Sequence, residues 1–241
     1  MIFLDEVDST NTYLKARIAD LPDGAAVTAE MQTAGRGRRG HTWLADNGML
    51  PLSVLLKAPE FPATVTLCAG VAVCQALESL PAVAQSGLSA GLKWPNDVII
   101  GGYKVCGILC ESVCFGERID VVCGIGVNVS QTEDFFRAAG LPHGASLKML
   151  TNSEIDKRSL AEDIAARVVT LCAKGFNEVY EEYKARCVTL GKQVKLVEND
   201  KERIAFAEDI SEKGYLVCTA QGERFEVNSG EVSVRGLLGY I

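Results

Sequence analysis

The spacing of apolar residues predicts strands and helices over most of the chain. Apolar runs indicate strands at residues 2–7, 25–30, 49–57, 92–94, 97–100, 104–114 and 119–129. Gly101 and Gly102 predict a hairpin turn between two of these strands. Residues 64–80 are apolar almost all round, which predicts a helix buried on every side.

Two further helices are predicted from their start signals. Ser9 or Thr10 is expected to cap a helix that extends to Leu21. Ser159 is expected to cap a second helix that extends to about Arg186, with apolar residues repeating along one stripe.

The remaining segments are predicted as loops and as a second region of structure. Residues 31–48 and 131–146 are polar and rich in glycine, and loops of such length are usually functional or disordered. From Gly191 onward, short strands alternate with tight polar turns, which is typical of a small β-barrel. We therefore predict an α+β fold: a mixed sheet packed with helices in residues 1–189, then a small C-terminal barrel in residues 190–241.

Composition narrows the class of protein. The 241 residues are 48% hydrophobic and 23% charged, as in a soluble globular protein. The net charge of −7 argues against a general nucleic-acid binder, whose surface is normally basic. We found no signal peptide and no apolar stretch of the roughly 20 residues that a membrane span needs. A cytoplasmic location without membrane contact is expected.

The nine cysteines contain no C-x-x-C pair. Cys106, Cys110 and Cys114 are spaced by four along one predicted strand. A metal site is one interpretation, with His41 and His143 as the only imidazole ligands available. Small buried side chains in a reducing compartment are the other, and we favour it.

The segment GRGRRG, residues 35–40, places three fixed positive charges in the first predicted loop. It fits the letters of a dinucleotide-binding turn, but no helix start follows Gly40. An RNA-binding arm and a solvated loop without a role are two other interpretations. Arginine binds carboxylate and phosphate in a planar, bidentate manner, and glycine exposes backbone N–H groups to the same anion. The loop therefore favours a small ligand that bears both groups.

Two more segments carry candidate chemistry. In KWPND, residues 93–97, Pro95 restricts Trp94 to an extended conformation, so Lys93 is expected at a strand end that faces a cleft. In GIGVNVS, residues 124–130, two glycines within an apolar strand indicate close approach by a ligand or by another backbone. Taken singly, a surface lysine and a tightly packed strand are the alternatives.

Together these segments closely resemble the biotin–protein ligases, also called biotin–[acetyl-CoA-carboxylase] ligases. The matching pieces occur in family order: DSTN at 8–11, EMQTAGRGRRGHTW at 30–43, KWPND at 93–97, GYKVCGILCE at 102–111, GIGVNVS at 124–130 and GEVSVRG at 230–236. The resemblance spans nearly the whole chain and implies a catalytic domain similar to class II synthetases. Because DSTN begins at residue 8, the chain is most similar to the short, monofunctional class without an N-terminal DNA-binding domain.

The resemblance implies a two-step reaction. Biotin and magnesium-ATP give biotinyl-5′-AMP and pyrophosphate, and a lysine of a biotin carboxyl carrier protein then receives the biotin. ATP, biotin and Mg²⁺ are thus the implied ligands, with the metal held mainly by nucleotide phosphates. The implied partner is the carrier protein, with no nucleic acid or membrane, and the chain is expected to be a monomer or a homodimer. A lipoate or octanoate ligase or transferase is the alternative.

Site residues follow from the same resemblance. It implies that the catalytic residues are Lys93, Arg38 and Arg36. It implies a biotin site formed by Ser9, Thr10, Asn11, Gln32, Gly35, Arg36, Gly37, Arg38, Lys93, Gly107 and Gly126. It implies a nucleotide site formed by Arg36, Arg38, Arg39, Trp43, Lys93, Asn96, Lys104, Asn128 and Arg235.

The resemblance has one departure and adds two expectations. Histidine stands at position 41 where the family usually has arginine, so a fixed charge is lost there. Gly124 is expected to line the floor of the site beside Gly107 and Gly126. Residues 131–146 are expected to form a second loop that orders over the adenylate.

Overall fold

A mixed seven-stranded sheet forms the larger part of the molecule. The computed structural model describes residues 1–40, 43–44, 46–198, 201–229 and 233–236. The sheet has the strand order β1-β2-β3-β7-β6-β5-β4, in which β1 and β2 are parallel and the other neighbours are antiparallel. Its strands are β1 (Ile2–Val7), β2 (Ala26–Gln32), β3 (Met49–Leu56), β4 (Ala90–Lys93), β5 (Asp97–Ile100), β6 (Tyr103–Phe115) and β7 (Arg118–Asn128).

Helices cover this sheet and enclose its core. They are α1 (Thr10–Lys15), α2 (Val65–Ser79), α3 (Pro81–Ser86), α4 (Glu133–Ala138), α5 (Leu147–Thr151), α6 (Lys157–Lys174) and α7 (Tyr180–Arg186). The predicted buried helix is confirmed as α2, which packs against α6 and against strands of the sheet. Most of its side chains, Cys68 and Cys74 among them, belong to the main hydrophobic core. The predicted α+β class is confirmed.

Helix ends differ from the predictions for local reasons. The first helix stops at Lys15 rather than Leu21, because the N–H of Arg17 bonds to the carbonyl of Leu14, three residues back. The segment 131–146, predicted as a loop, contains α4, whose start is capped by the side chain of Thr132.

The long helix predicted from Ser159 to Arg186 is two helices. The first of them, α6, starts at Lys157 and is capped by Asp156, whose carboxylate accepts the N–H of Arg158 at 3.0 Å. This helix ends at Lys174, because the φ of +83° at the next residue, Gly175, lies outside the helical region, and α7 begins at Tyr180.

A second, antiparallel sheet is formed by the C-terminal residues. Its order is β11-β10-β9-β8-β12, with strands β8 (Lys192–Glu198), β9 (Lys201–Ile210), β10 (Leu216–Ala220), β11 (Glu223–Val227) and β12 (Ser233–Gly236). The predicted small barrel is wrong in its closure: in the described part of the chain, the edge strands β11 and β12 do not pair, so the sheet stays open.

The two sheets share one hydrophobic core. Buried side chains of the second sheet, such as Val194 and Leu216, belong to the same cluster as Trp94 of the first part. The second sheet begins at Lys192, close to the predicted boundary, and the division into residues 1–189 and 190–241 stays a prediction. Across the described residues, no helix is long and apolar enough to span a membrane.

Candidate active site

A cavity of about 680 Å³ opens over the middle of the seven-stranded sheet. Residues of β3, β4, β6 and β7 line it, together with the N-terminus of α1 and the arginine loop. The predicted site residues that line it are Ser9, Thr10, Asn11, Gln32, Arg36, Gly37, Arg38, Trp43, Lys93, Asn96, Lys104, Gly107, Gly126 and Asn128. The structure thus brings most of the predicted set to one place.

Of the remaining predicted residues, one lies beside the cavity, and the side chains of the other two lie outside the described part of the chain. Gly35 lies at the neck of the arginine loop, where its carbonyl accepts the N–H of Trp43 at 3.0 Å. Arg39 belongs to a short 3₁₀ turn and Arg235 to β12, and the side chains of both lie outside the described residues. His41, the departure from the family pattern, also lies outside them.

One end of the cavity is a buried polar cluster at the start of α1. Ser9, Thr10 and Asn11 are each at most 4% exposed. Ser9 occupies the cap position, but its side chain makes no capping hydrogen bond, so the predicted cap is wrong for its hydroxyl. The Gln32 side-chain oxygen accepts the backbone N–H of Thr10 at 3.0 Å. Compact hydroxyl and amide groups of this kind suit a small polar ring.

Lys93 is the last residue of β4, as predicted, and is only 8% exposed. The next residue, Trp94, is held twice, because its backbone N–H donates to Thr189 Oγ1 and its indole N–H to the Gly214 carbonyl, both at 3.0 Å. Its ring is 1% exposed. Two hydrogen bonds and the burial of Trp94 therefore fix the backbone that follows Lys93.

The arginine loop reaches across the cavity to its other walls. Arg38 donates to the side-chain oxygen of Asn96 at 3.0 Å and also to the Ser229 carbonyl, which follows β11. Arg36 is more exposed, and its guanidinium lies 3.9 Å from a carboxylate oxygen of Glu111. Arg38 thus bridges the KWPND segment and the C-terminal sheet.

Trp43 packs on a floor that only glycine permits. Gly107 and Gly126 are cross-strand neighbours in β6 and β7. A Cβ atom added to Gly107 would lie 2.5 Å from the Trp43 ring, and one added to Gly126 would lie 2.8 Å from it. Glycines therefore line the floor as expected, and in this structure the Trp43 ring occupies the space that they leave. Gly124 is similar, because a Cβ atom there would collide with Asn11.

Lys104 and Asn128 complete the wall beside Trp43. The Lys104 ammonium lies 2.6 Å from an Asp97 carboxylate oxygen and 5.1 Å from the centroid of the Trp43 ring. The Asn128 amide donates to the Lys104 carbonyl at 3.2 Å. A flat ring with polar edges would meet an aromatic face and amide groups at this end.

Residues 131–146 form a further wall. Phe135, Phe136, Leu141 and His143 line the cavity, and the His143 carbonyl accepts the N–H of Lys104 at 2.7 Å. Segments 31–48 and 131–146, both predicted as functional loops, therefore meet over the same cavity.

The electrostatics of the cavity oppose those of the whole chain. Arg36, Arg38, Lys93 and Lys104 line it, although the net charge is −7. Positive groups around a largely apolar cleft attract anions and weaken the repulsion between two of them. The arrangement therefore suits the joining of two negatively charged groups.

No group of three or more His, Cys, Asp or Glu side chains suited to a metal ion occurs among the described residues. Cys106, Cys110 and Cys114 share a face of β6, but their exposure rises from buried to exposed along it. Asp97 is the carboxylate that lines the cavity, and it is paired with Lys104. The described residues thus offer a hard cation single oxygen ligands rather than a cage.

Two residues beside the polar end have no predicted role. Ser53 is fully buried in β3 and lies within hydrogen-bonding distance of Thr10 and Asn11. Glu111 in β6 accepts from Asn11 and Lys15. A lone serine within the apolar run MLPLSVLL was the available signal for Ser53. For Glu111 the signal was its place at the end of the matching segment GYKVCGILCE, although only the tertiary structure brings it near α1.

Comparison with known proteins gives one consistent result. A family model described as the biotin/lipoate A/B protein ligase family matches residues 3–128. The chain is 32% identical to a biotin–[acetyl-CoA-carboxylase] ligase of Mycobacterium tuberculosis, with 94% of this chain and 86% of that protein covered. It is 29% identical to a ligase of the same name from Paracoccus denitrificans, over 97% of this chain and all of that protein.

Solved structures agree with the sequence relatives. The biotin protein ligase from Aquifex aeolicus, in complex with biotin and ATP, superposes with a TM-score of 0.81 at 31% identity, and 98% of each chain is covered. The similarity therefore extends through both sheets.

Proposed function

The chain belongs to the biotin/lipoate A/B protein ligase family, and from that premise we propose that it is an ATP-dependent biotin–protein ligase. It forms biotinyl-5′-AMP from biotin and ATP and passes the biotin to a lysine of a biotin carboxyl carrier protein. One observation of the site carries this proposal: a single cavity joins a buried polar end at Ser9–Asn11 to a cationic middle at Lys93 and Arg38.

The first step brings two anions together. A biotin carboxylate oxygen attacks the α-phosphorus of ATP, and pyrophosphate leaves. The Lys93 ammonium, held at the end of β4, offsets the charge that builds on the oxygens in the transition state. Arg36 and Arg38, which line the same cavity, bind the carboxylate and the phosphates.

The two ends of the cavity bind the two ends of the product. Ser9, Thr10 and Gln32 bind the ureido ring of biotin with hydroxyl and amide groups. At the other end, the Trp43 indole stacks on adenine and Asn128 bonds to its edge. Lys104 faces the phosphates, and Arg39 and Arg235 are proposed as further cations for the nucleotide.

Magnesium would enter with the nucleotide. The phosphate oxygens would supply most of its ligands, because the described residues provide no protein cage for it. The ion would neutralise part of the phosphate charge that the arginines also bind.

The second step requires that the mixed anhydride survive until the carrier arrives. The carrier lysine attacks the biotinyl carbonyl carbon, the bond to phosphate breaks, and AMP leaves. Arg38, with its contacts to Asn96 and Ser229, closes one side of the cavity, and residues 131–146 close another. Exclusion of water by these segments protects the intermediate.

The decisive experiment is mass spectrometry of a carrier domain incubated with this protein, biotin and magnesium-ATP. We expect the carrier to gain one biotinyl group, and a carrier that lacks the acceptor lysine to gain none. An unmodified carrier, in a reaction that also releases no pyrophosphate, would refute the proposal.

Lipoate is the alternative substrate, since the family model covers ligases of both kinds. A ligand at 100 times its Kd raises the free energy of unfolding by about 2.7 kcal/mol, so thermal unfolding distinguishes the two. We expect biotin to stabilise the protein and lipoate to leave it unchanged.

A further inference from the structure

A chain of hydrogen bonds leads from Glu111, outside the cavity lining, to Thr10 on its wall. The Asn11 amide nitrogen donates to a Glu111 carboxylate oxygen at 2.8 Å and to the Leu109 carbonyl at 3.2 Å. Neither of these oxygens carries a proton to give back. Both amide hydrogens of Asn11 are therefore committed, and the orientation of its amide group is fixed.

Ser53 continues the chain behind the cavity. Its hydroxyl oxygen lies 2.6 Å from Asn11 Oδ1 and 2.7 Å from Thr10 Oγ1. Because Asn11 Oδ1 only accepts, the single hydroxyl proton of Ser53 must point to it. The Ser53 oxygen is then left to accept, and Thr10 is the hydroxyl placed to donate to it.

The direction of these bonds determines what Thr10 offers to a ligand. The short contact of 2.7 Å directs the Thr10 proton to Ser53, since Gln32 Oε1 lies farther away, at 3.2 Å, and already accepts the Thr10 backbone N–H. Toward the cavity Thr10 then presents lone pairs. The Gln32 oxygen accepts the Thr10 backbone N–H, so the Gln32 amide nitrogen is left to donate. A cyclic urea, with N–H donors and a carbonyl acceptor, matches this polarity.

Glu111 is ionised at neutral pH and so accepts only. Burial raises the pKa of its carboxyl group, but hydrogen bonds from Lys15 and Asn11, with the charges of Lys15 and Arg36, outweigh it and hold the pKa below its usual value. The Lys15 ammonium lies 2.6 Å from its other oxygen. The carboxylate is thus anchored as the fixed end of the chain.

We propose that Glu111 is a positioning residue which, through Asn11 and Ser53, fixes the Thr10 hydroxyl as the acceptor for a ureido N–H of biotin. The inference rests on the proposed function. It adds that Glu111, which lies outside the cavity lining, determines whether the Thr10 hydroxyl accepts or donates a hydrogen bond at the biotin end. Glu111 and Ser53 touch no substrate themselves, since neither lines the cavity.

The test is a comparison of Michaelis constants. In Glu111→Gln, the side chain can turn its amide group toward Asn11, so the direction of the chain is no longer fixed. We expect the KM for biotin to rise about 10-fold, as loss of one well-directed hydrogen bond implies. The KM for ATP should stay within about 2-fold, because the Arg36–Glu111 pair is long, at 3.9 Å, and largely exposed at Arg36, so its loss should move that arginine little. Pyrophosphate release is the readout.

Two further readouts separate positioning from a general structural defect. Ser53→Ala should raise the KM for biotin similarly, and the double variant should be no worse than the worse single variant, because both interrupt one chain. The native enzyme should discriminate against a biotin analogue methylated on the ureido nitrogens, and Glu111→Gln should lose most of that discrimination. Glu117→Gln, an exposed change in the turn after β6, is the matched control.

Each outcome has a defined meaning. If the native enzyme releases no pyrophosphate with biotin and ATP, the proposed function fails whatever the variants do. If the native enzyme is active and Glu111→Gln keeps the native KM for biotin, only the positioning role is overturned. Fully additive effects of the two substitutions, or an equal rise in the KM for ATP, would also overturn it. Should Glu111→Gln fail to fold, Ser53→Ala and its discrimination ratio decide the question.

Discussion

The indole N–H of Trp94 donates to the backbone carbonyl of Gly214 at 3.0 Å, which ties the residue after Lys93 to the C-terminal sheet. Both partners are buried, so neither group has water as a substitute. The segment that carries the proposed catalytic lysine and the C-terminal sheet are thus joined by a specific bond as well as by the shared core.

Trp94→Phe should therefore destabilise the whole protein. The change removes the donor and leaves the Gly214 carbonyl unsatisfied, which costs roughly 1–3 kcal/mol. Urea unfolding measures this loss as a lower midpoint. Tyr103→Phe, at an exposed ring, should leave the midpoint where it was. An unchanged midpoint for Trp94→Phe would show that the hydrogen bond contributes nothing.

Lys93→Ala should nearly abolish formation of the adenylate. Loss of one well-placed donor to transition-state charge lowers the rate by roughly 10²–10³-fold. Lys93→Arg should also be poor, because a planar fork does not fit a site shaped for an ammonium group. Pyrophosphate release under single-turnover conditions is the measurement. Lys174→Ala, at the exposed end of α6, is the control, and a rate for Lys93→Ala equal to it would contradict the assignment.

Arg38→Gly should form adenylate but hold it poorly. The variant loses the hydrogen bonds to Asn96 and to the Ser229 carbonyl, which connect two walls of the cavity. Hydrogen bonds to charged groups contribute about 1.5–3 kcal/mol, so release should accelerate roughly 10- to 100-fold. Chase of labelled biotinyl-5′-AMP with unlabelled ligand measures release. Arg17→Ala, outside the cavity lining, serves as control. Native retention by Arg38→Gly would exclude this closing role.

Glu78 should contribute stability that is lost in acid. Partial burial raises the pKa of its carboxyl group, but hydrogen bonds from Arg186 and from the Ala90 N–H, with the Arg186 charge, outweigh it and lower the pKa. A pKa that is lower in the folded state stabilises that state above the unfolded pKa, near 4.3, and the effect disappears as pH falls through the folded value.

We therefore expect Glu78→Gln to lower the free energy of unfolding by about 1 kcal/mol at pH 7, a value discounted for partial exposure. The difference from the native protein should shrink as pH falls below about 4. Urea midpoints across pH measure it. Glu162→Gln, at an exposed site on α6, should show no such dependence. A difference that is constant with pH would contradict the ionic origin.

Sequence predicted most of the strands and most of the cavity lining, for understandable reasons. Strands such as β3 and β7 are nearly continuous apolar runs, because α2 and α6 cover one face of the sheet and α1, together with the site, covers the other. Lys93 was predicted at a strand end from Pro95 two positions later, and β4 does end there. The roles of the individual site residues stay predictions.

Helix ends and the second sheet were less predictable. Gly175 breaks the predicted helix, although the apolar stripe suggested no interruption. Short alternating strands indicate an antiparallel sheet but do not say whether its edges meet, since closure depends on tilt and stagger of the whole sheet. In the described residues the edges stay apart.

The sequence by itself determined the elements and the local motifs, because apolar spacing, turn residues and charged loops act over a few neighbouring positions. Tertiary structure alone decided that Glu111, 100 residues from Asn11, would hold its amide, and that Trp43 would lie on Gly107 and Gly126. Contacts of this kind depend on strand register, and register is set by the packing of the entire sheet.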